Sequence, residues 1–317
     1  MTPFGDSHKH HQDFLGIGDL SQEAILGILK VAKHMQNTPA HSQALAGKQV
    51  LTLFFEPSTR TKMSFETALG RLGASKSSIQ LESSSVKKGE TLFDTVQNLA
   101  AFGFDAMIVR HAHAGAPHFI AKHVAASVIN AGDGFHEHPT QALLDSFTIQ
   151  EKCGDISKLN ILILGDILHS RVARSNILTL TKLGARVFVA GPPTLIPPEI
   201  TEMGVTVIPN LDAAIPHMDV INCLRIQYER QDLGYFPSIR EYRQHFGLTA
   251  KRLAHAKPTL TILHPGPMNR GIEIDSDVAD GPHNVILDQV RNGVFVRMAI
   301  LLKVLNPTYF ASLEATP

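Results

Sequence analysis

An α/β fold of two parallel-sheet domains, each with helices on both faces, is what this sequence predicts. Three observations lead there. Short β-branched runs alternate with segments whose apolar residues recur at helical spacing, the pattern of parallel strands joined by helical crossovers. The strand runs fall into two series. The chain has 317 residues, 44% of them hydrophobic, so two domains can each bury a sizeable core.

The elements follow in order. Strands of the first series are expected at 49–55 (QVLTLFF), 76–82 (KSSIQLE), 105–111 (DAMIVRH) and 126–132 (ASVINAG). The second series reads 160–166 (NILILGD), 185–191 (ARVFVAG), 205–210 (VTVIPN), 219–225 (DVINCLR) and 259–265 (TLTILHP). Phe65, Leu69 and Leu72, then Leu92, Val96 and Leu99, mark buried faces of intervening helices. The joint is expected near residue 150, where the helix PTQALLDSFTIQEKCG ends at Gly154, giving domains 1–150 and 151–292. The last helix, GVFVRMAILLKVLN (293–306), has no strand after it. Residues 293–317 are therefore expected to return to the first domain. Neither an internal repeat nor a low-complexity linker interrupts the pattern.

Composition excludes several classes. The 29 basic and 29 acidic side chains cancel, which gives no reason to expect nucleic acid or an anionic membrane as partner. No run approaches about 18 uninterrupted apolar residues, and the opening MTPFGDSHKHHQDFLGI lacks the apolar core of a signal peptide. His8, His10 and His11 there read as a solvated tail. Cys153 and Cys223 make neither a disulfide framework nor a metal knuckle and suit a reducing cytoplasm. No metal and no cofactor is expected.

The chemistry concentrates at strand ends, where open α/β sheets bind ligands. FFEPSTRTKMSFE (54–66) runs from a strand into a helix start carrying Ser58, Thr59, Arg60 and Thr61. Helix capping by Ser58 or Thr59 explains one hydroxyl but not a guanidinium among three. A phosphate cradle explains all four: free N–H groups, a positive dipole end, hydroxyl donors and a charged fork. Other strand ends repeat the theme with Arg110, with His138-Pro139-Thr140-Gln141 after a Gly-rich turn, with Arg171 and Arg174, with Arg225 and Gln227, and with the turn at Pro265-Gly266-Pro267. Donors, mostly cationic and with few carboxylates among them, suit a polyanion better than metal-assisted hydrolysis. Taken alone, His138 is equally a helix-start residue and Arg174 equally a solvated charge. His111, His113, His123 and His136 read as surface or structural.

These segments, with SSSVKKGETLFDT, VRHAHAGA, GDGFHEHPTQALLD, GDILHSRVARSN, LRIQYER and LHPGPMNRGIEI, occur in the order found in the aspartate/ornithine transcarbamoylase family, whose aspartate-using catalytic chains the sequence resembles from about 14 to 306. Ornithine enzymes carry a His-Cys-Leu-Pro segment and a Ser-Met-Gly loop. This chain has HPGP at 264–267, LRIQ at 224–227, and no Ser-Met-Gly. The resemblance implies transfer of the carbamoyl group of carbamoyl phosphate to the α-amine of L-aspartate, an early step of pyrimidine (UMP) biosynthesis. It implies that Ser58, Thr59, Arg60, Thr61 and Arg110 bind phosphate, and that Thr61, Arg110 and His138 surround the carbonyl oxygen. Gln141 and backbone carbonyls near Pro265 and Gly266 would hold the carbamoyl NH2. Arg171, Arg225 and Gln227 would hold the aspartate carboxylates. The loop 83–91 reads by itself as solvated. By resemblance, Ser84 and Lys88 in it reach a neighbouring subunit's site in a homotrimer, with the register among Ser83, Ser84 and Ser85 open. Glu56 would anchor Arg60 or a neighbouring arginine, and Glu137 would point away from the anion. No residue stands out as general base, which leaves the departing phosphate as candidate acceptor of the amine proton. Pairing of trimers, and regulatory or dihydroorotase chains, stay open. Two other readings compete: a transcarbamoylase for another amine, and a non-catalytic anion-binding subunit. The second would show a damaged cradle, and every cradle residue is present.

Overall fold

A computed structural model describes residues 12–37, 42–80, 90–226 and 238–316. The expectations for the histidine tail, for the loop carrying Ser84 and Lys88, and for Gln227 fall outside these residues. The chain forms two compact units. One comprises the described residues up to Gly16, Leu26–Gly134, and those from Val294 onward; the other comprises Ile17–Ile25 and Phe135–Gly293.

The first unit carries a fully parallel sheet in the order β2-β1-β3-β4, with β1 Gln49–Phe54, β2 Ser75–Gln80, β3 Ala106–His111 and β4 Ser127–Asp133. Helices α1 (Gln22–Asn37), α2 (Thr59–Leu72), α3 (Leu92–Ala100) and α4 (Ala116–His123) accompany these strands. Leu51 and Leu53, Met107 and Val109, and Val128 alternate toward Val96 of α3 and Ile120 and Ala121 of α4, forming a dry core. The helix α2 stops at Gly73, whose φ of 76° is left-handed and whose N–H closes on Gly70.

The second unit carries β5 (Asn160–Leu164), β6 (Arg186–Ala190), β7 (Thr206–Val207), β8 (Val220–Cys223) and β9 (Thr261–Leu263), again all parallel, in the order β7-β6-β5-β8-β9. Around them run α5 (Pro139–Cys153), α6 (Arg171–Lys182), α7 (Leu211–Ala214), α8 (Ile239–Phe246), α9 (Ala250–Leu253) and α10 (Ser276–Ala279). Leu162, Leu164, Ile221 and Ile262 meet Leu211, Ile215, Leu248 and Ile274 in its core.

The C-terminal helix expected at 293–306 is longer. α11 runs Ile286–Leu305, and α12 (Pro307–Ala315) follows after Asn306, whose side chain caps the new helix through Tyr309 N–H. The C-terminal part returns to the first unit as expected. Arg297 donates to Ser64 Oγ at 2.8 Å and lies over the Phe65 ring, Arg71 lies over Phe295, and Asn306 donates to the Ala44 carbonyl.

Candidate active site

In the first unit, parallel register places Arg110 opposite Phe54, and Phe55 N–H donates to the Arg110 carbonyl at 2.9 Å. Arg110 and the start of α2 therefore share the carboxyl edge of the sheet. The Arg110 guanidinium is held from two sides: Nε lies 3.5 Å from Glu56 Oε2, and Nη1 donates to the Ala131 carbonyl at 3.1 Å. Glu56 thus anchors a neighbouring arginine. Ser58 is the N-cap of α2 in extended backbone, yet its side chain makes no capping bond. Thr59 and Arg60 are exposed and Thr61 is buried. The capping explanation of this stretch is thereby removed for Ser58.

His111 and His113, read as surface or structural, are local structure. His113 N–H donates to His111 Nδ1 at 2.9 Å, and the ring of His111 tilts against Phe55. Burial, with His113 beside it, lowers the His111 pKa and so favours the neutral ring. The Gly-rich turn after β4 needs its glycine: Gly134 has φ 48°, and a Cβ there would meet Ala114 N at 2.6 Å.

In the second unit, α5 starts at His138, which also caps no N–H with its side chain. Its backbone N–H donates to Ser175 Oγ, and Ser175 Oγ–H donates to Glu137 Oε2, both at 2.9 Å. Glu137, buried, also accepts the Ile17 N–H at 2.9 Å. Lys182 Nζ donates to the carbonyls of Ile17, Gly18 and Leu20. Glu137 is thus spent on backbone and a serine.

Arg171 opens α6 after Ser170, a true side-chain cap that accepts from Ala173 N–H at 3.1 Å, and Arg171 is buried. Arg174, one turn on, is exposed. Arg225 follows β8 and is half-buried; Leu224 N–H, bonded to the Leu164 carbonyl, fixes its base. Pro265 and Gly266 follow β9. There Gly266 has φ 68°, its N–H donates to His264 Nδ1 at 2.8 Å, and His264 Nε2 lies 3.1 Å from Glu273 Oε1. With Nδ1 accepting, the imidazole carries its proton on Nε2 toward the carboxylate.

The feature that sequence reasoning missed is Asp145. It is wholly buried, and Gln141, Asn176, Asn222 and Gln289 all bond its carboxylate through side-chain nitrogen. Burial pushes its pKa above the usual carboxylate range, and the four amide donors act against that shift. Beyond Gln141 one turn before it, its partners lie 31 to 144 residues away, so the cluster has no local signal. Overall, Ser58–Thr61 and Arg110 belong to the first unit, while His138, Gln141, Arg171, Arg225, Pro265 and Gly266 belong to the second.

Two family models match the chain. One, described as the carbamoyl-P binding domain of aspartate/ornithine carbamoyltransferase, matches residues 12–151; the other, its Asp/Orn binding domain, matches 157–304. Relatives named aspartate carbamoyltransferase catalytic subunit include those of Halothermothrix orenii and Moorella thermoacetica. Each is 56% identical over 294 residues, which is 92% of this chain and 94% and 96% of theirs. Among solved structures, aspartate transcarbamoylase of Trypanosoma cruzi, in complex with carbamoyl phosphate and aspartate, aligns with TM-score 0.84 at 30% identity over 93% of this chain and 97% of that one. Ornithine carbamoyltransferase of Pyrococcus furiosus aligns with TM-score 0.82 at 31% identity over the same shares.

Proposed function

The chain belongs to the aspartate/ornithine carbamoyltransferase family, and from that premise we propose that it transfers the carbamoyl group of carbamoyl phosphate to the α-amine of L-aspartate. The products are N-carbamoyl-L-aspartate and phosphate, in an early step of pyrimidine biosynthesis. Fold likeness does not choose the amine, since aspartate and ornithine enzymes align about equally well. The observation that carries the choice is the 56% identity to aspartate carbamoyltransferase catalytic subunits, and the LRIQ and HPGP segments agree with it.

The amine attacks the carbamoyl carbon, a tetrahedral oxyanion forms, and the C–O bond to phosphate breaks. The reaction asks for alignment and charge stabilisation rather than a protein nucleophile. Ser58, Thr59, Arg60 and Thr61 with Arg110 take the phosphate, as a helix start with a guanidinium suits an anion. Thr61, Arg110 and His138 surround the carbonyl oxygen. Gln141, with carbonyls near Pro265 and Gly266, takes the NH2. Arg171, Arg225 and Gln227 take the aspartate carboxylates. Residues 1–150 would serve carbamoyl phosphate and 151–292 aspartate, a division the two family descriptions support. The departing phosphate takes the amine proton.

The working form on this reading is a cytoplasmic homotrimer in which Ser84 and Lys88 serve the neighbour's site. Hybrid trimers test that: Arg110→Ala and Lys88→Ala chains, each nearly dead alone, should regain roughly one third of wild-type activity per trimer when mixed and reassembled, because one of three head-to-tail junctions is intact. Verified hybrids that stay inactive would refute sharing. For the reaction itself, purified protein given both amines should make carbamoyl-aspartate and no citrulline. Citrulline at a comparable rate would overturn the choice of aspartate.

A further inference from the structure

We propose that Asp145 is a positioning residue for carbamoyl recognition: its buried carboxylate fixes which end of the Gln141 amide faces the substrate and, through Gln289, the backbone entering the Pro265–Gly266 turn. The proposal rests on the reading that Gln141 and this turn hold the carbamoyl NH2.

A Gln carboxamide has a donor end and an acceptor end of nearly the same shape, so it recognises an NH2 only if something else dictates its orientation. An ionised carboxylate only accepts. Gln141 Nε2 donates to Asp145 Oδ1 at 2.8 Å, which leaves Gln141 Oε1 as the end that can accept from an NH2. The same oxygen accepts Gln289 Nε2 at 2.7 Å, and Gln289 Oε1 then accepts the His264 N–H at 2.9 Å. His264 in turn accepts the Gly266 N–H. One carboxylate therefore orients both pieces of the proposed NH2 pocket that lie in the second unit.

The other oxygen, Oδ2, accepts Asn176 Nδ2 at 2.8 Å and Asn222 Nδ2 at 3.2 Å. These two amides come from α6 and β8, and each leaves its own Oδ1 buried without a hydrogen-bond partner. Both asparagines thus present their donor ends to Asp145 at the expense of their carbonyls. Four amide N–H donors occupy both oxygens. The arrangement suits a charged, wholly buried carboxylate whose polar partners are all neutral amides.

Selectivity between carbamoyl phosphate and acetyl phosphate reads this directly, because the two differ only by NH2 against CH3. Asp145→Leu keeps a similar shape and removes both acceptors. The expected result is a preference for carbamoyl over acetyl phosphate reduced about tenfold, the worth of one well-placed hydrogen bond. Affinity for inorganic phosphate, which has no NH2, should stay within about twofold. Unchanged selectivity overturns the proposal, and so does equal weakening toward all three ligands, which marks a purely structural role. Should Asp145→Leu not fold, Gln289→Leu carries the same measurement: it leaves Asp145 and Gln141 in place and cuts only the arm to His264. Reduced selectivity then supports the proposal and unchanged selectivity refutes it. A wild-type protein that does not distinguish the two acyl phosphates would instead refute the underlying reading of Gln141.

Discussion

The starts of α2 and α5 are built alike and used differently. Both follow a parallel strand, and the N-cap side chain of neither, Ser58 or His138, bonds a helix N–H. By contrast α3, α6, α7, α8, α9 and α12 are capped by Thr91, Ser170, Asn210, Ser238, Thr249 and Asn306. At these two helix starts, both assigned to the carbamoyl phosphate half of the substrate by the sequence reading, the N-cap side chain leaves the first-turn N–H groups to other partners. They diverge in burial. At α2 the Thr59 and Arg60 side chains are exposed, whereas from His138 to Asp145 every residue of α5's entrance is buried. An anion is caught by charge and can be met by mobile side chains. A neutral amide must be matched end for end, which calls for polar groups locked in place. The difference teaches that the charge-bearing half of a site shows in sequence, while the half that reads a neutral group hides in its supports.

The comparison breaks hardest at Arg110. Arg110→Ala removes a guanidinium fixed at the carboxyl edge beside α2, held by Glu56 and the Ala131 carbonyl. The fold should persist and the barrier rise by about 3 kcal/mol or more, a loss of roughly 100-fold or more in kcat. Wild-type turnover in the purified, folded variant would remove Arg110 from the chemistry.

Glu137→Ala probes the locked side. It orphans the Ile17 N–H and the Ser175 hydroxyl that receives the His138 N–H. Denaturant unfolding should show a loss of about 2–3 kcal/mol, the cost of leaving buried polar groups unmet. A loss below about 0.5 kcal/mol would mean that the start of α5 does not depend on this chain of bonds.

Arg225→Ala separates the substrates. It should raise the KM for aspartate about tenfold or more, since a lost charge-assisted bond is worth about 1.5–3 kcal/mol. The dissociation constant for carbamoyl phosphate should barely move. Equal weakening of both would contradict the assignment of Arg225 to the amino acid.

How much of this was legible follows the range of each interaction. All nine strands among the described residues could be read, because β-branched runs are local signals. Their ends were read too long where a side chain intervenes. The expected strand 259–265 stops at Leu263, because the His264 N–H goes to Gln289 instead of a neighbouring strand and Pro265 has no N–H to give. The run 205–210 shrinks to Thr206–Val207, which pair only with Phe188 and Val189 at the sheet edge. The cradle was legible because its residues are consecutive. The links between Glu137 and Ile17, 120 residues apart, and between Asp145 and Gln289, 144 apart, have no local trace. Glu137 was expected only to point away from the anion; what it holds instead emerges from tertiary structure.

The smallest effect tests the comparison at its root. If Ser58 does not cap α2, Ser58→Ala should cost the fold less than about 0.5 kcal/mol, whereas Ser170→Ala, which deletes the bond to Ala173 N–H, should cost about 1 kcal/mol. The two substitutions make the same chemical change at the same helical position, so propensity and hydroxyl desolvation largely cancel between them. Ligand affinity should rank them the other way. Ser58→Ala should weaken inorganic phosphate several-fold, as the loss of one neutral donor to an anion predicts. The reverse outcome, a stability cost at Ser58 equal to that at Ser170 with phosphate affinity unchanged, would return Ser58 to ordinary capping. The hydroxyl of the cradle would then be reduced to Thr59 and Thr61, and the likeness between the two helix starts would be one of form alone.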